Sequence, residues 1–103
     1  MREDPTGDPG PKPRYHWQET WPGENHRDYR GWDGDRPFGR IMHENGGPTK
    51  NLWRWSINHI DGVRKHIPIH NGWEKSPRLA AAKVENAYDE LCELNGLERK
   101  TAT

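Results

Sequence analysis

The chain is poor in the residues from which protein cores are usually built. Hydrophobic residues make up only 29% of its 103 positions while charged residues make up 31%, a balance that leans toward chains unable to bury enough apolar surface to fold. A single cysteine, Cys92, excludes an internal disulfide and any four-cysteine zinc ribbon. No apolar run approaches the ~20 residues that span a bilayer. The N-terminus also lacks the apolar stretch of a signal peptide, so a cytoplasmic protein without membrane contact is expected. Net charge is absent as well: 16 basic residues balance 16 acidic ones, unlike the strongly basic balance of most nucleic-acid binders.

Six tryptophans offset the shortage, because each can bury roughly 200 Å². The expectation is one small folded core and a poorly ordered arm. Residues 1–27, rich in proline but carrying Tyr15, Trp17 and Trp21, read as the arm; these three aromatic residues either pack back onto the domain or are kept for a partner. Residues 28–97 read as a single domain and residues 98–103 as a frayed tail. Charge is uneven along the chain, with five basic against two acidic residues in the segment 39–73.

Within the domain, Trp53, Trp55 and Ile57 alternate with Arg54, Ser56 and Asn58, the period of a half-buried strand. A hairpin is predicted upstream, where Tyr29 and Trp32 precede Asp33-Gly34 and Phe38, Ile41 and Met42 follow it. Downstream, Val63 to His70 alternates too. A three-residue loop, Ile60-Asp61-Gly62, would set Trp55 against Ile67 and Trp53 against Ile69, with Gly62 at positive φ. Pro68 lacks an N–H, so that strand would be the edge. Ser76 is an N-cap ahead of Pro77, and Asn95-Gly96 supplies the stop of a helix. Ala80, Val84, Ala87, Tyr88 and Leu91 form its apolar stripe; Lys83, Glu85, Asp89, Glu90 and Glu93 fill its polar side. The predicted fold is α+β, an antiparallel three- or four-stranded meander packed on one C-terminal helix.

The Gly39-Arg40-Ile41 strand, the Trp53-Arg54-Trp55 strand and the alanine-rich helix through Ala87-Tyr88 resemble a group of small uncharacterised bacterial proteins of rhizobial type. That resemblance covers residues 28–95 and implies a fold but no function. The architecture also looks like AP2 and integrase-type three-stranded DNA-binding domains, which lay an open sheet face into the DNA major groove.

With the tryptophan face against the helix, the opposite face would show Arg40, Arg54, Asn58, Arg64 and His66. Arginine and asparagine on a β-ribbon suit phosphates and base edges; the same residues would equally make the solvated face any amphipathic sheet needs. Two readings of a non-enzymatic binding module follow. One is weak nucleic-acid binding through this open face. The other is a protein–protein adaptor using Tyr15, Trp17 and Trp21 with the edge strand. No metal or cofactor is expected: His66 and His70, four apart in a strand, would stand roughly 13 Å from each other. Cys92, late in the helix, is expected to be packed and inert.

Overall fold

The Trp53–Ile57 segment alternates in space as it does in sequence: Trp53 and Trp55 are buried while Arg54 between them is exposed. It is the fourth strand of a five-stranded antiparallel sheet in the computed structural model, which describes residues 10–24 and 26–100. The elements are β1 (His16–Glu19), β2 (Asp28–Asp33), β3 (Arg36–His43), β4 (Trp53–Ile57), β5 (Asn71–Glu74) and α1 (Pro77–Asn95), and the strands pair in chain order as a meander. The α+β class and the C-terminal helix are as expected; the sheet has one or two strands more.

The β2–β3 hairpin turns through Gly34-Asp35, with Gly34 at φ +61°. A bulge between Gly31 and Trp32 leaves Phe38 unpaired on β3. The extra residue directs Phe38 into the core, where its ring stacks on Tyr88 at 4.5 Å between centroids. Gly39 follows on the same face. A Cβ there would lie 2.2 Å from Val84 Cγ1, so glycine is what lets α1 approach the sheet.

Helix α1 begins at Ser76, whose side chain accepts from Leu79 N, and ends at Gly96 in the left-handed conformation at φ +65°. Ala80, Val84, Ala87, Tyr88 and Leu91 are buried with Trp53, Trp55, Phe38 and Ile41 in one cluster. Cys92 belongs to it, and burial raises its thiol pKa, in keeping with a packed residue.

Three expectations need correction. Residues 63–70 form no strand, and β4 pairs with residues 71–74 instead, setting Trp55 opposite Gly72 and Trp53 opposite Glu74. Ile67 is buried from a loop, while Ile69 is 68% exposed. The Asn95 side chain takes the place of a neighbouring strand. Its Oδ1 accepts from Arg64 N and Lys65 N, both at 2.8 Å, and its Nδ2 donates to Lys65 O at 2.8 Å. Pro68 therefore marks a loop rather than an edge strand, although Gly62 does take positive φ, +92°. Second, Glu85, placed on the polar side of the helix by its type, is buried. Third, part of the expected arm is structured: β1 lies within it, and Tyr15 is a core residue. Residues 1–9 of the expected arm and 101–103 of the expected tail lie outside the described residues.

Candidate functional site

Helix α1 covers one face of the sheet, and strand alternation assigns the remaining strand positions to the other. Register then fixes the rows that cross this open face. Trp73, Arg54, Met42 and Asp28 form one row from β5 to β2. Asn71, Ser56, Arg40, Arg30 and Gln18 form the next, spanning all five strands. Beyond the bulge, Pro37, Trp32 and His16 form a third.

Three arginines thus gather on the central strands. Arg30 and Arg54 are exposed. Arg54 lies over the Trp73 ring, its Cζ 5.8 Å from the centroid, and the Trp73 indole N–H donates to Glu44 Oε1 at 3.2 Å. Arg40 stands directly opposite Arg30, and Asp28 relieves that like-charge pairing. Arg40 donates from Nε to Asp28 Oδ1 at 2.8 Å and from Nη2 to Oδ2, while Thr20 Oγ1 also donates to Asp28. Burial opposes ionisation of Asp28, but the Arg40 and Thr20 hydrogen bonds outweigh it and hold the carboxyl below its ordinary value. Asp28 is the one carboxylate at a strand position of this face among the described residues.

The structure brings together only part of the expected set. Arg40 and Arg54 share the open face. Asn58 lies just past β4, where its N–H bonds Phe38 O at 2.9 Å and its Nδ2 bonds Pro37 O at 3.3 Å, so its amide donors serve the β3 backbone. Arg64 and His66 belong to the 60–70 loop. Arg64 is anchored to Asn95 at the end of α1, and His66 lines a shallow cavity of about 290 Å³ with Ile60, Ile67 and Leu91. Both lie with the helix layer, away from the arginine rows, because the segment expected to extend the sheet is a loop.

Arg30, Trp32 and Trp73 were missed as members of the face. The alternation of Asp28, Arg30 and Trp32 against Tyr29 and Asp33 carried the signal for the first two. Trp73 follows Asn71-Gly72, which reads as a turn.

Tyr15 and Trp17 point the other way, into the core. Glu85 draws them there: it accepts from Arg14 N at 3.1 Å, Tyr15 N at 3.0 Å and Trp17 Nε1 at 3.0 Å. The Tyr15 hydroxyl donates to Asp89 at 2.6 Å, and burial together with this bond raises its pKa. Trp21 alone of the three is exposed, at 46%.

No protein-family model, curated protein or solved structure matches this chain.

Proposed function

We propose that this protein is a non-enzymatic binding module that holds nucleic acid through the open face of its sheet. The observation that carries this reading is the gathering of Arg30, Arg40 and Arg54 on three adjacent strands, with Asp28, the one strand-borne acid of this face among the described residues, already engaged by Arg40. Guanidinium groups spread over a flat surface suit phosphates, which accept in the same fork geometry. With only three such groups the affinity is weak and steeply salt-dependent.

Binding of a labelled oligonucleotide, followed by anisotropy across a salt series, tests it. The double variant R30Q/R54Q, at two exposed positions, should flatten the plot of log affinity against log salt by roughly 0.7–0.9 per arginine removed. D28N should tighten binding two- to threefold, about the effect of deleting one negative charge some 7 Å from a phosphate in water. Equal salt slopes for wild type and R30Q/R54Q would exclude the arginine face as the binding surface.

A protein–protein adaptor is the second reading. Exposed Trp21 and the outer edge of β1, which no strand pairs among the described residues, support it, whereas Tyr15 and Trp17 are consumed by the core. In this reading W21A abolishes partner capture or self-association, whereas R30Q/R54Q leaves it unchanged.

A further inference from the structure

The open face is too broad for the groove of a duplex. Five strands at the ~4.8 Å spacing of a sheet span about 19 Å between the outer backbones. The major groove is about 12 Å wide and admits a helix or a two-stranded ribbon. The arginine-bearing strands β2, β3 and β4 are flanked on both sides, by β1 with His16 and Gln18 and by β5 with Asn71 and Trp73. Lowering the central strands onto a groove floor would drive these outer strands into the phosphate walls.

The aromatic groups point in the same direction. Trp73 is 45% exposed although it sits on a strand. Its ring is held at two points, by Glu44 at the indole N–H and by Arg54 above the ring. Ordering it against a ligand therefore costs little additional side-chain entropy. A duplex keeps its base faces stacked on one another and presents edges and phosphates, to which an indole face has little to offer. Unstacked bases present the π-surface that such a ring accepts. Trp73 stands at one corner of the face and Trp32, with His16 beside it, at the diagonally opposite one; Arg54, Arg40 and Arg30 lie along the line between them.

Resting on the nucleic-acid reading of this face, we propose that its ligand is single-stranded nucleic acid lying along that diagonal, with a base stacked on the face of Trp73 that Arg54 does not cover and phosphates held by Arg54 and Arg30. The diagonal uses both tryptophan corners and all three arginines, whereas a path along any one strand meets at most one arginine of this face, Arg36 of β3 being turned to Tyr88 on the helix side.

The test uses the full chain at low salt with three labelled probes: a 20-nucleotide oligothymidine, a 20-nucleotide oligouridine and a 20-base-pair duplex. At least one single strand should bind fivefold or more tightly than the duplex and quench tryptophan fluorescence. W73A should weaken that binding about tenfold or more, while W73F, which keeps a ring at the position, should retain most of it and so separates stacking from any change in folding. A duplex that binds as tightly as both single strands would overturn the single-strand assignment and leave the nucleic-acid reading standing, as would a W73A variant with wild-type affinity. Failure of all three probes to bind would overturn both.

Discussion

Glu85 sits between Val84 and Ala87 on a helix whose polar residues otherwise meet water, yet it is among the most buried side chains in the molecule. Its carboxylate is the acceptor for two backbone N–H groups and an indole N–H from residues 14–17. Removing it takes the partner from three donors, of which Tyr15 N is buried and the other two partly so; a buried donor left unpaired costs roughly 1–3 kcal/mol. E85A is therefore expected to lose about 3 kcal/mol or more in denaturant titrations followed by tryptophan fluorescence. E85Q keeps one acceptor oxygen and should lose less. Hydrogen exchange should locate the damage at Tyr15 and Trp17; a variant as stable as wild type would show that Glu85 does not hold β1. Residue type put Glu85 on the solvent side, although helical spacing sets it beside Ala81, Tyr88 and Cys92, all buried. Its partners lie some 70 positions earlier, so no local pattern could have revealed what it binds.

Among the elements, helix and sheet meet tightly at Gly39, where any side chain would run into both Val84 and the Ser56 carbonyl. G39A should cost about 1–3 kcal/mol, the usual penalty for overpacking a filled core, read as a lowered denaturation midpoint. Pairing with V84A, which opens the space, should recover part of the loss relative to additive expectation. The sequence made β3, β4 and α1 legible because period, turn residues and caps agreed in each. It misplaced the strand after β4 because Val63, Ile67 and Ile69 alternate as a strand would. The chain resolves that pattern differently, burying Ile60 and Ile67 from a loop whose backbone is satisfied by the Asn95 amide. A side chain that substitutes for a strand leaves no mark on hydrophobic periodicity. β1 escaped for another reason: four polar-flanked residues are too few to show alternation, and only the presence of Tyr15 and Trp17 hinted that the segment docks. The arginine face was half legible for the same cause, since Arg40 and Arg54 lie on strands the pattern identified while Arg64 and His66 were assigned to one that does not form.

For the molecule as a whole, acid should be destabilising. Asp89 is partly desolvated, which opposes ionisation, but hydrogen bonds from Tyr15 and Arg14 outweigh the burial and lower its pKa from the ordinary 3.8; Asp28 is lowered likewise by Arg40 and Thr20. A carboxyl with a depressed pKa in the folded state binds protons more readily once unfolded. Its contribution is complete above the unfolded value and disappears as pH falls through the folded one. Melting temperature should therefore be level from neutrality to about pH 5 and drop below about pH 4. Asp89 grips Arg14 and Tyr15 while Asp28 grips Arg40, so the loss should begin with the packing of β1 on α1. A melting temperature unchanged down to pH 3 would contradict both couplings.

The clasp between residues 14–17 and α1 also bears on how the chain is made. Synthesis runs from the N-terminus at roughly 5–20 residues per second, so the donors of Arg14 and Tyr15 emerge roughly 4–14 s before the carboxylates that receive them. Asp33 likewise waits for the backbone of Lys100. Until α1 is complete, Tyr15 and Trp17 have only the apolar rims of an unfinished sheet to rest on, and β2 keeps an unsecured edge. The earliest of the described strands to be made is thus among the last of them to be locked, and that interval is when a nascent chain of this protein is most open to capture by chaperones or by its own copies.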